Sequence, residues 1–315
     1  MSYLKDRGIF LYDESLCRNL NLHEIKDYMK EKINVRVEVR KEFISCYFKQ
    51  EKIEDFAKKM AEIRVKDLRR NTFFEPLYGE VKYEERMLKK PKNCSVMYDG
   101  FKLQALLRGF MTHEEYKHVH IVFTNRLFGT FDENDMRYHA RVIICGHPSL
   151  ISTSGIVEAP AKPKEFYYLK QKSAILGIPI EVVKEKFKGR FIDYDDERIT
   201  EVMKGYVMQA LMYNITGEPF CNDRNCRLFN AHWQEDVLNA QLNGKDFCIQ
   251  HEKILEQHRT RKLFQRNQRK VFDSQETGSF LFSPKLQSNF VECREGITFP
   301  TIKKGCVHDD RKFEE

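Results

Sequence analysis

The chain has 315 residues, of which 41% are apolar, 12% aromatic and 32% charged, enough for a substantial core in two domains or in one large domain with an extension. No stretch approaches about 18 consecutive apolar residues, and the first residues lack a long apolar run and a small-residue cleavage site, so we expect no transmembrane helix, no signal peptide and a cytoplasmic protein. The net charge of +7 is modest for this length and does not by itself indicate a nucleic-acid partner.

The N-terminal third alternates between strand and helix patterns. Residues 8–13 form an apolar run typical of a short buried strand, and residues 34–40 alternate strictly, as a half-buried strand does. Residues 22–33 and 52–65 carry apolar side chains at helical spacing. This alternation predicts an α/β layer, followed by a charged, irregular connection over residues 70–96.

The clearest helix pattern of the chain lies over residues 200–216. Thr200 suits the N-cap of that helix, and Gly217 suits its C-cap. The other predicted helices span 99–110, 165–176, 180–188, 231–242 and 251–271, and the other predicted strands span 119–124, 140–145 and 149–157. From residue 273 onward the sequence has no periodicity, so we expect a tail that is extended or disordered unless a partner holds it.

Four residues directly after that helix have the spacing of a zinc site. Cys221 and Cys226 form a C-x4-C pair, and Cys248 and His251 form a C-x2-H pair after a longer loop. Two short ligand pairs of this kind are typical of a closed, four-coordinate structural zinc. The nine cysteines are an odd number in a chain that looks intracellular, so a disulfide framework is not expected. The alternative is a coincidental group of core thiols and an imidazole.

A basic run over residues 259–270 is the strongest local charge feature. A solvated helix face is the ordinary interpretation of such a run. The alternatives are RNA or a ribonucleoprotein, because cations on one helix can neutralise phosphates, and an acidic protein partner. The run contains six cations and no acid, and these are Arg259, Arg261, Lys262, Arg266, Arg269 and Lys270.

Weaker candidate sites lie around the predicted strands and helices. His118 and His120 would point to one face of a strand, as in some metal sites, although ordinary strand histidines are the simpler interpretation. His232 and Glu235 lie one turn apart and could support acid–base chemistry, but packing of a helix against the zinc subdomain is favoured. The small polar residues of 149–157 lack the surroundings of a nucleophile elbow.

The layout of the helix and the four ligand residues resembles that of the archaemetzincins over residues 119–255. In those proteins a helix with the motif HExxHxxGxxH leads directly into a cysteine, and a second ligand pair follows about twenty residues later. Counted back from Cys221, Gly217 falls on the glycine of the motif. The three histidine positions fall on Ala210, Asn214 and Phe220, and the glutamate position falls on Leu211.

This resemblance implies an inherited metallopeptidase framework without its catalytic zinc. Alanine and leucine cannot bind a metal, and an asparagine amide is a poor zinc ligand. The segments around GEPFC, RLFNAHWQEDVL and STSGIVEAPAKPKEFYYLK more specifically resemble an archaeal family classed as metallopeptidases, with no assigned function. In metzincin-like chains, residues 149–157 correspond to the edge strand that binds extended peptide by strand addition.

We therefore expect an α+β (α/β-like) fold of the metzincin type, in which a mixed sheet packs on helices beside a small zinc-stapled subdomain. The expected divisions are an N-terminal α/β region over 1–95, a core over 96–258 that includes the zinc subdomain 217–255, and a basic extension over 259–315. The expected function is that of a zinc-binding protein, with one structural Zn²⁺ ion, that lacks peptidase activity and binds a protein or peptide partner. The alternatives are an active zinc metallopeptidase with unusual ligands and an RNA- or ribosome-associated factor.

Overall fold

A five-stranded sheet forms the centre of the fold. The computed structural model describes residues 7–47, 53–92, 96–244 and 246–259. The strands of this sheet are β1 (Ile9–Glu14), β2 (Val37–Arg40), β4 (Val119–Thr124), β7 (Ile143–Ile144) and β8 (Ser149–Ser152). Their order is β2-β1-β4-β8-β7, with parallel pairing except between β7 and β8.

A second sheet has three strands, which are β3 (Met97–Asp99), β5 (Leu127–Asp132) and β6 (Arg137–Arg141). Their order is β3-β5-β6. Strands β3 and β5 pair in parallel, and β5 and β6 form an antiparallel hairpin.

The helices surround the central sheet and vary from five to 18 residues. They are α1 (Leu22–Ile33), α2 (Phe43–Tyr47), α3 (Ile53–Glu62), α4 (Tyr78–Lys89), α5 (Gly100–Arg108), α6 (Thr153–Glu158), α7 (Lys164–Ile175), α8 (Ile180–Lys186), α9 (Ile199–Thr216) and α10 (Gln234–Leu238). A short π-helical segment, Asn239–Asn243, follows α10, and residues 249–259 form a further helix, α11.

The alternation of side chains along β1 divides the interior into two cores. Ile9 and Leu11 point into a core that also contains the buried faces of α1 and α9. Phe10 and Tyr12 point to the opposite face, where Phe43 of α2 lies in the same core as side chains from α3 and α5. Successive residues of a strand face opposite sides of the sheet, so β1 contributes to both cores.

The expected fold class is confirmed in its architecture, because a mixed sheet packs on helices. The central sheet contains strands from both sides of residue 95, and the proposed domain boundaries stay predictions. In the part of the chain that the structure describes, no helix is long and apolar enough to cross a membrane.

Several elements were misassigned or missed from the sequence. The connection 70–96 contains helix α4, whose inward side chain is the buried Glu84, held by Arg64 and Tyr98 rather than by apolar contacts. The strand β5 was missed. The strand expected over 149–157 ends at Ser152, because its hydroxyl accepts a hydrogen bond from the Gly155 amide and caps α6.

The cap of the long helix also differs from the expectation. Helix α9 begins after Arg198, and Thr200 lies inside it. The Thr200 hydroxyl instead donates to the carbonyl of Asn19 at 2.7 Å and accepts from the amide of Asn21 at 2.9 Å. Thr200 therefore holds in place the segment that leads into α1. The C-cap prediction is confirmed, since Gly217 has a φ of 84°.

A glycine-to-alanine change tests the packing of α6 on the second sheet. A Cβ at Gly155 would lie 2.3 Å from the backbone oxygen of Arg141 in β6. We expect Gly155→Ala to lower the free energy of unfolding by about 1–3 kcal/mol, because the backbone must shift. Gly79→Ala in α4 is the control, since its added Cβ meets no atom within 4 Å. Urea denaturation measures both, and equal stability of the two variants would contradict this packing.

Candidate metal centre

The C-terminal end of α9 places the first ligand pair. Gly217 adopts the left-handed conformation, and its amide donates to the Tyr213 carbonyl at 2.9 Å, which ends the helix. The chain then turns back toward the core. The backbone amide of Cys221 donates to the carbonyl of Leu228 at 2.8 Å, which closes the loop that carries Cys221 and Cys226.

The C-x4-C loop is built around its own polar residues. The amide of Asp223 donates to the sulfur of Cys221 at 3.3 Å, and the amide of Cys226 donates to the Asp223 carbonyl at 3.0 Å. The Asp223 carboxylate in turn accepts from the amide of Asn225 at 2.9 Å. Backbone N–H groups directed at a cysteine sulfur stabilise a metal-bound thiolate.

The second ligand pair lies at the N-terminal end of α11. Cys248 immediately precedes the helix, and its carbonyl accepts from the amide of Glu252 at 2.9 Å. His251 lies in the first turn and is 7% exposed.

The structure brings the four predicted ligands together. The sulfurs of Cys221 and Cys248 are 3.8 Å apart, and Nδ1 of His251 lies 3.1 Å from the sulfur of Cys248 and 3.8 Å from that of Cys226. All four ligand atoms lie within 4.8 Å of one another. Tetrahedral zinc with ordinary bond lengths separates two sulfurs by about 3.8 Å and a sulfur from a nitrogen by about 3.6 Å. The donor set therefore fits a zinc ion.

Burial disfavours charge on three of the four ligand groups when no metal is bound. Burial raises the pKa of Cys226 to about 12 and raises the pKa of Cys221, so both are neutral thiols near pH 7 without a metal. Burial lowers the pKa of His251, which keeps its imidazole neutral and able to bind a metal. A bound zinc would supply the positive charge that stabilises the thiolates. Sites closed by four protein ligands are typical of structural rather than catalytic zinc.

Ion pairs join the cluster to the rest of the fold. Arg227, next to Cys226, pairs with Asp246 at 2.8 Å and with Glu201 of α9. Asp246 also pairs with Lys32 of α1 at 2.5 Å. The Arg227 guanidinium lies over the ring of Tyr28, 5.3 Å from its centre. These contacts connect the ligand loops to both helices that cover this face of the sheet.

The degenerate positions of the helix motif lie in α9, apart from Phe220. Ala210 and Leu211 are fully buried in the core, and Asn214 is 7% exposed. The side-chain amide of Asn214 donates to the carbonyl of Ala210 at 2.8 Å. Phe220 is half-buried after the helix. Their correspondence to the ligand and base positions of the motif stays a prediction.

The neighbouring polar residues form no obvious reaction centre. Gln209 is buried and donates to the Phe229 carbonyl at 3.2 Å, while its Oε1 has no hydrogen-bond partner among the described residues. Glu218 is exposed to solvent.

The strand histidines have structural contacts. His120 is buried, and its two ring nitrogens lie 2.8 Å from the Tyr12 hydroxyl and 3.0 Å from the Glu115 carbonyl. Burial lowers the pKa of His120 to about 4. His118 and His120 both pack on the ring of Phe10. Neither belongs to a potential metal-binding group in the described part of the chain.

The peptide-binding edge expected at 149–157 does not form. Strand β8 lies between β4 and β7, so its outer edge already pairs with Ile143 and Ile144. The His232–Glu235 pair is also not one turn of a helix, since α10 begins at Gln234. Glu235 instead pairs with Arg190 at 2.6 Å.

One possible ligand group was not found from the sequence. Asp132, Asp135 and His139 lie together on the β5–β6 hairpin, with His139 2.6 Å from Asp135. These side chains are partly or fully exposed. Their spacing along the sequence is that of polar residues in an ordinary hairpin turn. No signal distinguishes the group from a surface ion pair.

The basic run is described only at its first residue. Arg259 donates to the Lys32 carbonyl and to Glu252, both at 3.3 Å. It therefore helps to dock α11 on α1. Five of the cations, Arg261, Lys262, Arg266, Arg269 and Lys270, lie outside the described residues, as does the tail from 273.

The family of the chain follows from a family model described as "Probable metallopeptidase family (DUF6775)", which matches residues 5–258. The chain belongs to this family. A comparison with curated proteins found no match.

Two solved structures are similar to this one. Archaemetzincin from Methanopyrus kandleri has a TM-score of 0.40 and 12% identity, over 80% of this chain and 94% of that one. A zinc-dependent peptidase from Methanocorpusculum labreanum has a TM-score of 0.35 and 10% identity, over 79% of this chain and 99% of that one. At these scores the likeness carries no conclusion about the present chain.

Loss of one ligand should remove the metal. We expect Cys226→Ala to reduce zinc content from about one ion per chain to well below one, and to lower thermal stability, because three ligands no longer close the site. Cys46→Ala is the control, since Cys46 is exposed and lies outside the cluster. Elemental analysis and thermal unfolding measure the effects. Unchanged zinc in Cys226→Ala would refute the assignment of this ligand.

Zinc affinity should fall as the pH falls. The raised pKa values of Cys221 and Cys226 mean that the metal-free site carries its thiol protons below about pH 8, so zinc must displace them. Burial lowers the pKa of His251, so its imidazole contributes less to this dependence than an exposed histidine would. We expect the apparent affinity to fall about tenfold per pH unit for each proton displaced. Competition with a chelating indicator between about pH 8 and 6 measures this, and a flat profile would be inconsistent with thiolate ligation.

Proposed function

We propose that this chain is a zinc-binding member of its metallopeptidase family that does not cleave peptides and acts as a binding module. One structural zinc, held by the Cys221–Cys226 loop and the start of α11, cross-links the C-terminal part of the core. The observation that supports the absence of peptidase activity is that α9 carries apolar, buried side chains where metal ligands would be needed. The positions that we predict to correspond to zinc ligands and to the base carry Ala210, Leu211 and Asn214, and all three are buried.

The same helix face supports the proposal physically. A catalytic zinc needs imidazole ligands that project from the helix into a cleft, and a carboxylate beside them to activate water. Here Ala210 and Leu211 pack against the core that α1 also covers. Within the residues that the structure describes, the groups with three or more candidate metal ligands are the cluster of three cysteines and His251 and the exposed group on the β5–β6 hairpin.

A binding role is supported by the hairpin of α7 and α8. This hairpin has a small core of its own around Phe166 and Val183. Its tip exposes Ile175 by 86%, Leu176 by 61% and Val182 by 50%. Between residues 164 and 190, seven cations outnumber three acidic residues. An apolar tip within a basic surface is complementary to a protein that presents apolar residues surrounded by acidic ones.

The RNA-associated alternative stays a prediction. Its cations lie mainly outside the described residues, and Arg259 is engaged with α1. The alternative of an active peptidase with unusual ligands is decided by the first of the following experiments.

Metal content and hydrolysis together test the absence of catalysis. We expect one zinc per chain and no cleavage of a fluorogenic peptide library above a no-enzyme control, because α9 offers no ligand set. Glu218→Gln removes an exposed carboxylate just after α9 and should change nothing. Two metals per chain, with hydrolysis that a chelator abolishes while the near-ultraviolet circular dichroism is preserved, would overturn the proposal.

Removing the apolar tip tests the binding role. We expect the double variant Ile175→Ser, Leu176→Ser to fold with wild-type stability, because both side chains are exposed, and to lose at least about tenfold in affinity for the partner. Phe73→Ser is the control, since Phe73 is 69% exposed elsewhere.

The partner for this test is identified by cross-linking in native extract, and its complex is rebuilt from purified components. Added salt should weaken the complex, because the surrounding lysine charges are screened. Equal binding by the double variant and the wild type, or a complex indifferent to salt, would contradict this surface.

A further inference from the structure

Two of the three cysteines in the metal cluster reach solvent. Cys221 and Cys248 are half-buried, whereas Cys226 has no exposed surface. The sulfurs of Cys221 and Cys248 are 3.8 Å apart, which leaves no room for another side chain between them. A small reagent that approaches the cluster from solvent therefore meets these two sulfurs first, and meets them together.

The positions of the two cysteines in the chain decide what a bond between them would hold. Cys221 lies in the loop that follows α9, and Cys248 directly precedes α11, 27 residues later. A disulfide between them would join the same two segments that a zinc ion in the cluster joins. A disulfide between Cys221 and Cys226 would close only the C-x4-C loop and would leave the start of α11 unattached.

A bond between Cys221 and Cys248 requires little movement and would end zinc binding. A disulfide is about 2.0 Å long, so each sulfur would move by about 0.9 Å, half of the difference from the present 3.8 Å. With both sulfurs in a disulfide, only Cys226 and His251 of the cluster remain as ligands. Structural zinc sites use four ligands, so two would not retain the ion.

We propose that Cys221 and Cys248 are an oxidative modification site, which a peroxide converts into a disulfide with release of the zinc ion. This inference rests on the structural zinc of the proposed function. It gives the cluster two cross-linked states, one reduced with zinc and one oxidised without it. The loop after α9 is joined to the start of α11 in both states, so the segment that covers α9 stays attached.

The chemistry uses one peroxide for each chain. Cysteine sulfurs bound to zinc are thiolates, and the thiolate is the form that attacks a peroxide. The sulfur of Cys221 or Cys248 takes one oxygen of hydrogen peroxide and becomes a sulfenic acid, while the other oxygen leaves as hydroxide. The second sulfur then displaces hydroxide from the sulfenic acid and forms the disulfide. The two sulfurs lose the two electrons that reduce the peroxide, and the zinc leaves as Zn²⁺.

Zinc release and disulfide mapping test the site in the full-length chain. The zinc-loaded protein is treated with an equimolar amount of hydrogen peroxide, released zinc is read with a chelating indicator, and disulfides are located by mass spectrometry without reduction. We expect equal numbers of released zinc ions and disulfides, and a cross-linked peptide pair that contains Cys221 and Cys248. Dithiothreitol and added zinc should reverse both changes. A disulfide within the C-x4-C loop, or zinc retained by the oxidised chain, would overturn the proposal.

Thermal unfolding tests whether the disulfide takes over the cross-linking role of the zinc. We expect the oxidised, zinc-free chain to unfold at a higher temperature than the reduced chain that a chelator has stripped of zinc, because only the oxidised chain joins the loop to α11. Cys46→Ala is the control, since Cys46 is exposed and lies outside the cluster, and it should match the wild type in zinc release and mapping. Equal unfolding temperatures of the oxidised and stripped chains would contradict the second cross-linked state.

Failure of this site is distinguishable from failure of the proposed function. Peptide cleavage by the reduced, zinc-loaded chain would refute the proposed function and leave the disulfide result standing. A zinc-loaded chain that cleaves no peptide and forms no disulfide between Cys221 and Cys248 would refute this site alone.

Discussion

The fold depends on covering α9 on all sides. This helix of 18 residues is buried around nearly its whole circumference, so it cannot lie on a surface. The central sheet and α1 cover part of it. Cys226, Leu228 and Leu255 lie in the same core as the helix and cover the remainder. Between Gly217 and α11 this covering segment has little regular structure, with a five-residue α10 and a π-helical segment, so cross-links help to hold its shape.

The cluster of three cysteines and His251, together with the ion pairs of Arg227, provides those cross-links. A metal in the cluster would fix the loop at Cys221 to the start of α11, and Arg227 joins the loop to Glu201 of α9. In this arrangement a protein can keep a metal that stabilises the fold without having a metal that catalyses a reaction. A helix that lost its catalytic ligands would still be required for packing, and small or apolar residues such as Ala210 and Leu211 suit that role.

Local patterns predicted the elements in which apolar spacing decides the structure. Helix α1 and strand β4 have the boundaries expected from their sequences, and the C-x4-C and C-x2-H pairs meet as expected. The patterns failed where a polar residue takes the inward position. Glu84 of α4 is buried because Arg64 neutralises it, and Ser152 ends β8 because its hydroxyl finds the Gly155 amide. Partners of this kind are not visible in apolar periodicity.

The correspondence of α9 to a peptidase motif stays a prediction. The sequence by itself determined the elements with regular apolar spacing and the two ligand pairs that meet in one cluster. Spacing is sufficient for these because helix faces, strand faces and short ligand pairs are local features. Only the tertiary structure decided which strands are neighbours, and so the position of Glu14 beside Arg126, 112 residues away along the chain. The two buried charges neutralise each other only in the assembled sheet, because the sequence around either residue does not indicate its partner.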